Sequence, residues 1–298
     1  SASAGLDDQE TLWQAKEIAD AICKLGYEVN TLACPHDLAL LTEQLRMLQP
    51  DLVFNLVESF AGNSAAIHLP ALLCEQLQIP YTGANAAAIA LSTNKLLTKR
   101  WLNAGNLPTP KWYSKEECVH LATLDAPYIV KSVTEDGSLG IEQSSIVESV
   151  TDLKRVLRDR SQRFGGEWFA ERYIPGREFN ISVLAAGGEM TVLPPAELTF
   201  NQLPQGMKPI VDYAAKWEDD SLMAKATKRQ FCFADNDASL LQQLKTLSIK
   251  CMRWFNVNGF ARIDFRVDAA LNPYILEVNA NPSLAPDAGF AAAAWQAG

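Results

Sequence analysis

One stretch of the chain gathers residues able to hold a cation and an anion side by side: GFARIDFRVDAALNPYILEVNANP, residues Gly259–Pro282. It alternates cleanly. Ala261, Ile263, Phe265 and Val267 form one face; Phe260, Arg262, Asp264 and Arg266 form the other. Asp268 to Pro273 supplies turn residues, and the next strand carries Glu277 and Asn279 on one face. Folded as a hairpin, a single antiparallel register sets Asp264 opposite Glu277 and Arg262 opposite Asn279. Opposed side chains have Cβ atoms about 4.5–5.5 Å apart. Two carboxylates that close repel unless a cation intervenes. With an amide oxygen they form the hard-oxygen set that suits Mg²⁺. Arg262 can grip a phosphate oxygen beside them. Read in isolation, the same residues also fit an exposed polar hairpin face with an Arg–Asp pair.

Two further stretches carry related chemistry. In PYIVKSVTEDGSLGIEQSSIV an apolar strand ends at Lys131, and a loop with Gly137, Ser138 and Gly140 follows. Such a loop lets backbone N–H groups nest a phosphate, and Lys131 adds a point charge. No Walker-type GK[ST] follows it. In EWFAERYIPGREFNISVL two strands flank a Pro175-Gly176 turn and carry Glu171 and Glu178, charged residues that beside a turn are usually solvated. Lys95 lies on a helix and Lys216 in a long loop; either alone reads as a surface lysine.

The elements that must position these residues start with a helix over residues 11–25. Strand patterns at Tyr27–Ala33, Asp51–Leu56 and Ile79–Thr82 then alternate with helices at Asp37–Leu48 and Ser64–Gln78. This alternation predicts a parallel α/β layer. Such a layer normally opens with a strand, whereas here a loop and a helix come first, so an unpaired edge, weak stability or pairing between two copies is expected. The turn-rich run GNLPTP marks a joint. Strands dominate beyond it, among them Gly140–Val147 and Met190–Leu198. Asn201–Asp237 reads as a long loop, and Ala238–Phe255 as a helix.

The 298 residues suffice for a sizeable core, with 48% hydrophobic and 20% charged residues. Disorder and collagen are excluded. A net charge of −9 argues against a nucleic-acid backbone as partner. No apolar run approaches the roughly 18 residues of a membrane span, and no signal peptide is visible. Six cysteines without a CxxC pair suggest reduced thiols in the cytoplasm, and three scattered histidines disfavour a zinc site.

Taken together, DLVFNLVE, IPYTG, NKLLTK, GNLPTP, YIVKSVTEDGSLGI, ERYIPGREF, DYAAKW, GFARIDF and ILEVNANP, in this order along nearly the whole chain, resemble the ATP-grasp superfamily, most closely the D-alanine–D-alanine ligase family. The resemblance implies an N-terminal parallel α/β substrate subdomain (residues 1–93). A central ATP-grasp subdomain with the phosphate loop (94–176) and a C-terminal one with the metal site (177–298) would follow. It implies ATP and Mg²⁺, with Mn²⁺ as an alternative ion, and a small amino acid or related carboxylate as substrate. Lys95 and Lys131 look like nucleotide-phosphate lysines, and Glu171, Tyr173 and Ile174 like an adenine-contacting strand. Glu178 looks like the ribose-hydroxyl acceptor and Lys216 like the lysine that reaches the γ-phosphate. Asp264, Glu277 and Asn279 look like Mg²⁺ ligands, and Arg262 like the arginine that stabilises acyl-phosphate and tetrahedral states. Ser138, with the Gly137 and Gly140 backbone, resembles the phosphate-covering loop.

The departures from the family pattern fall mainly in the amino-acid half. Val57 to Gly62 replace a histidine–glycine turn, and Gly137 stands where the first of two adjacent serines is usual. Val211 replaces a tyrosine, no Ser-Leu pair stands at Asp287–Phe290, and only Asp7 or Asp8 lies near the place of a substrate glutamate. Glu58 could receive a cationic group there. The reading is an ATP-dependent carboxylate–amine ligase working through an acyl phosphate, with a homodimer as the expected assembly. Two other classes are consistent with the motifs: an ATP-binding protein without turnover, and a ligase acting on a polypeptide end.

Overall fold

The computed structural model describes residues 6–218 and 220–298, with side chains from residue 9 onward; those of Asp7 and Asp8 lie outside the described ones. Helices α1 (Leu6–Lys24), α2 (Leu38–Leu48), α3 (Leu69–Leu77), α4 (Ala86–Thr93) and α5 (Lys95–Ala104) come first. Next come β1 (Trp112–Tyr113), α6 (Lys115–Val119), β2 (Tyr128–Ser132), β3 (Ile146–Val147), α7 (Val150–Phe164) and β4 (Trp168–Arg172). Strands β5 (Arg177–Ala186), β6 (Glu189–Val192) and β7 (Ala196–Phe200) lead to α8 (Tyr213–Trp217), α9 (Leu222–Ala226) and β8 (Thr227–Gln230). Helix α10 (Ala238–Trp254), β9 (Gly259–Val267), β10 (Pro273–Asn279) and α11 (Gly289–Ala297) complete the order.

Two antiparallel sheets result. The first runs β1-β4-β2-β3; the second runs β10-β9-β5-β7-β8, with β6 paired to β5. Alternation explains the second sheet. Ala261, Ile263, Phe265 and Val267 of β9, with Phe179, Ile181 and Val183 of β5, are fully buried and pack with α10 through Leu244 and Met252. The opposite face keeps the charged residues. In the first sheet, Tyr128, Val130, Trp168 and Ala170 pack against Leu153, Val156 and Leu157 of α7. Helix α5 begins where the Asn94 side chain caps it, accepting a hydrogen bond from the Leu97 N–H at 3.0 Å.

The parallel N-terminal layer is not formed. The segments Tyr27–Ala33, Asp51–Leu56 and Ile79–Thr82 join only through one parallel bridge, Val53 with Tyr81, and both sheets are antiparallel. A parallel layer needs burial on both faces, yet Tyr27 and Leu52 are exposed. Pro35, Pro50 and Pro80 also remove ladder donors at the segment ends. Pro194 and Pro195 split the expected strand Met190–Leu198 into β6 and β7. Only Ile146–Val147 remains of the strand expected over Gly140–Val147, because the chain turns through Gly140 at φ +65° and a 3₁₀ turn. The long loop Asn201–Asp237 contains α8, α9 and β8. Asp212 and Ser221 cap the two helices, and β8 extends the sheet beyond β7.

Gly259 opens β9 at φ +78°, and a Cβ there would collide with the Gly83 carbonyl. This close approach ties the N-terminal segment to the second sheet. Gly259→Ala is expected to cost about 2 kcal/mol or more, read as a lower urea midpoint with an unchanged slope.

Candidate active site

The hairpin β9–β10 forms in the expected register at the functional end. Glu277 lies opposite Asp264 and Asn279 opposite Arg262. Nearer the turn the register differs by one residue, and a bulge between Ile275 and Glu277 makes the change. The bulge brings Glu277 and Asn279 onto the face of Asp264. Arg262 grips Asp264 with two hydrogen bonds, Nε to Oδ1 and Nη2 to Oδ2, both 2.8 Å. Asn180, opposite Asp264 on β5, donates to Oδ1 at 2.7 Å, and Asn279 donates to Oδ2 at 3.0 Å.

The two carboxylates respond differently to this setting. Burial, with Glu277 close by, pushes Asp264 up to about 6 despite the Arg262 grip. Burial also opposes ionisation of Glu277, but Lys95, Lys131 and Arg262 outweigh it and hold the group near about 2. Among the described residues no three His, Cys, Asp or Glu side chains gather as a metal site. The set is instead two carboxylates and an amide. Amide O and N are interchangeable by a flip, so Asn279 can turn an oxygen to a cation. Hard-oxygen donors on one face fit Mg²⁺.

Facing the hairpin are the lysines. The Lys95 ammonium, buried, donates to the Asp136 carboxylate at 2.7 Å and the Glu135 carbonyl at 2.9 Å. Lys131 pairs with Glu171 at 2.6 Å. Lys99, which the sequence reading passed over, pairs with the same Glu171; both side chains are 1% exposed. Lys99 also donates to Thr109 Oγ1 at 2.9 Å and to the carbonyls of Leu276 at 2.7 Å and Ile275 at 3.3 Å. Burial and the neighbouring Lys131 pull its ammonium down to about 8, against the pull of Glu171. Its signal was present in NKLLTK, where Lys95 and Lys99 stand four apart on one helix face.

The remaining expected residues lie around this centre. Glu171 commits its carboxylate to the two lysines, while Tyr173 and Ile174 continue past the end of β4, both buried. Tyr173 packs with Ile129 and Ile210. Glu178 pairs with Arg266 at 2.7 Å, and Arg266 lies 5.7 Å from the centre of the Tyr173 ring. Ser138, at φ +60°, donates to the Val211 carbonyl at 2.8 Å, and Trp217 Nε1 donates to the Gly137 carbonyl at 2.8 Å. The glycine loop is thereby latched to the segment carrying Lys216, whose ammonium sits 5.0 Å from the centre of the Trp217 ring. Glu58 receives a hydrogen bond from Gln14 at 3.3 Å; burial and then Glu10 push its carboxyl above the usual range, while Lys216 acts against them.

A narrow polar crevice of about 20 Å³ opens between Lys95, Asp136, Glu277, Asn279 and Asn281. The larger hollow, about 470 Å³ on the outer side of α2, is lined by Ala39, Thr42, Glu43, Arg46 and Met47 and is remote from this chemistry.

A family model for the D-ala D-ala ligase C-terminus matches residues 106–298, the part that holds both sheets. The chain belongs to the D-alanine–D-alanine ligase family. Within it, the chain is 31% identical over 286 residues to a D-alanine–D-alanine ligase of a Synechococcus species, covering 93% of this chain and 81% of that one. It is 28% identical over 298 residues to protein y4sG of Sinorhizobium fredii, described as uncharacterized, covering 96% and 84%. The crystal structure of D-alanine–D-alanine ligase from Bacillus anthracis superposes with a TM-score of 0.77 at 22% identity, covering 99% of this chain and 90% of that one. The same enzyme complexed with ATP superposes at 0.74 and 19% identity, covering 99% and 89%. These two likenesses show that the fold of those structures extends over nearly the whole chain. No described helix is long and apolar enough to cross a membrane.

Removing the Lys99 ammonium leaves buried carbonyls and part of Glu171 without a donor. Lys99→Met is expected to cost about 3 kcal/mol in urea unfolding. The pH dependence has a definite sign. The folded group titrates near about 8 and the unfolded one near 10.5, so the unfolded chain binds more protons between those values. The contribution of Lys99 to stability therefore rises with pH across that window. The gap between wild type and Lys99→Met should widen from pH 8 to 10; a constant gap would refute the assignment.

Proposed function

We propose that this protein is an ATP- and Mg²⁺-dependent carboxylate–amine ligase, acting on a small amino acid or related carboxylate through an acyl phosphate. The observation that carries this reading is the shared face of Arg262, Asp264, Glu277 and Asn279, set against Lys95 and Lys131. That pattern of charge matches an anionic nucleotide held through a cation. Family membership supports the same reading. We assign the nucleotide to the region between the two sheets, with the base against the apolar cluster of Ile129, Tyr173 and Ile210. The division at residues 1–93, 94–176 and 177–298 follows from this reading, with the nucleotide between the last two parts.

Each residue then has a role. Lys95 and Lys131 exchange their carboxylate partners for phosphate oxygens, as point charges. Asp264, Glu277 and Asn279 hold Mg²⁺, which when bound neutralises charge on phosphate oxygens. The donor carboxylate attacks the γ-phosphorus, and the bond to the ADP oxygen breaks with its electron pair. Lys216 and the Ser138 loop cover the transferred phosphoryl group, and Arg262 stabilises charge on it. The amine nitrogen of the acceptor then attacks the acyl carbon. The carbon–oxygen bond to phosphate breaks, and the nitrogen gives up its proton to phosphate or water. Glu178, freed from Arg266, accepts from the ribose hydroxyls.

The test is phosphate release from ATP with Mg²⁺, screened against D- and L-amino acids, hydroxy acids and polyamines. Release that requires particular acceptors is expected. Glu277→Gln should lower it at least about 100-fold while the melting temperature stays within a few degrees. If no acceptor evokes release while ATP still raises the melting temperature, the protein binds nucleotide without ligating. Glu58→Gln should raise KM for the substrate that carries an ammonium group, and an unchanged KM for every amine would remove Glu58 from the site.

A further inference from the structure

Arg266 stands in the sequence as one member of the polar face of β9, yet its donors reach well beyond its own strand. The residue is 4% exposed. It lies directly opposite Glu178 of β5, and its Nη2 pairs with that carboxylate at 2.7 Å. Its Nη1 donates to the Gly176 carbonyl at 3.2 Å, in the turn between β4 and β5. Nη2 also donates to the Pro209 carbonyl, in the segment between β7 and α8. The guanidinium centre lies 5.7 Å from the centre of the Tyr173 ring and 5.8 Å from that of Phe200.

Pro209 belongs to a pair of loops that are zipped together. The Lys208 N–H donates to Gln143 Oε1 at 2.8 Å, and Gln143 Nε2 donates back to the Lys208 carbonyl at 3.0 Å. Ser138 donates to the Val211 carbonyl at 2.8 Å, and the Tyr213 N–H donates to the Ile141 carbonyl at 3.1 Å. Trp217 closes the row on the Gly137 carbonyl. The glycine loop and residues 208–213 therefore form one double loop, which carries Ser138 and leads into α8 with Lys216. Arg266 ties this double loop to the second sheet, from a position beside Glu178.

These contacts compete with one another. A guanidinium has five N–H donors, and when buried it must keep them matched to acceptors. Among the described residues Glu178 is the carboxylate paired with Arg266; its other acceptors are the neutral carbonyls of Gly176 and Pro209. Hydroxyl groups that donate to Glu178 draw on the same carboxylate and weaken its hold on the cation. A buried cation left short of acceptors is costly. The Pro209 and Gly176 carbonyls then take up what Glu178 gives up.

We propose that Arg266 is a positioning residue that makes closure of the double loop depend on the sugar of the nucleotide. When ribose hydroxyls engage Glu178, Arg266 shifts its hydrogen bonding toward Pro209 and holds the loop with Ser138 and Lys216 down over the phosphates. This deepens the ligase reading and rests on it, through the assignment of Glu178 to the ribose. The coupling is reciprocal: a closed double loop also raises the affinity for the ribose hydroxyls. The phosphate cover thus closes on a complete nucleotide and not on phosphate groups alone.

The experiment follows amide hydrogen exchange over residues 207–217 in protein saturated with ADP and Mg²⁺. The comparison is the 2′,3′-dideoxy analogue of ADP, which keeps base and phosphates and lacks both ribose hydroxyls. Wild type is expected to exchange at least about fivefold more slowly with ADP than with the analogue. In Arg266→Gln the two nucleotides should give the same exchange, and Arg266→Lys should restore part of the difference. The wild-type comparison needs no variant, so it holds even if Arg266→Gln fails to fold. Equal exchange with the two nucleotides in wild type, or a difference that survives in Arg266→Gln, overturns the inference and leaves the ligase reading standing. Absence of nucleotide binding by wild type overturns both.

Discussion

The buried ammonium of Lys99 holds together three parts of the chain. It reaches Glu171 in the first sheet and the carbonyls of Ile275 and Leu276 in the second, while its own helix carries Lys95. Burying a charge is costly unless it is paired and fully hydrogen-bonded. Here a carboxylate, a hydroxyl and two carbonyls meet that requirement. The carbonyls lie at the bulge of β10, where ladder pairing is interrupted and acceptors need another donor. The bulge shifts Glu277 and Asn279 into line with Asp264 and Arg262. Local disruption of the sheet, a buried cation and the acidic face are therefore one structural solution.

Electrostatics then extends outward from that point. Glu171 shares its carboxylate between Lys99 and Lys131, which fixes Lys131 near Glu277 without a direct pair. Lys95 rests on the glycine loop through Asp136 and Glu135. Ser64 reaches Glu135 of the same loop at 2.8 Å, and Ser138 and Gly137 are bonded to the segment before and within α8. The glycine loop is thus held from three directions, by the N-terminal segment, by α5 and by the Lys216 segment. Lys95, Lys131 and Arg262 each have a carboxylate partner that phosphate oxygens can replace, so the cleft is charged without being strongly self-repelling.

Much of the second sheet was legible in the alternation of Gly259–Asn279, because a period of two assigns each side chain to a face wherever one face is buried. The register of Asp264 with Glu277 followed from the polar face having to align. The bulge at Leu276 did not, since an inserted residue leaves no mark in an alternation read from one end only. The N-terminal strands were misread for a related reason. Short apolar runs such as DLVFNL satisfy a strand pattern, yet a strand exists only where a neighbour supplies its hydrogen bonds. In Asn201–Asp237, charge and weak periodicity hid two capped helices and a strand, because five-residue helices are too short to show a period.

By itself the sequence determined the residue types of the centre, the two faces of β9 and the order of motifs that marks the family. These are local properties, written in spacing and side-chain chemistry. Tertiary structure decided which charges meet. Lys99 became the link between sheets only because α5 packs beside β10. Glu171 turned to lysines because β2 and β4 are neighbours. Long-range proximity of this kind depends on how elements pack, and packing is a property of the assembled core rather than of any segment within it.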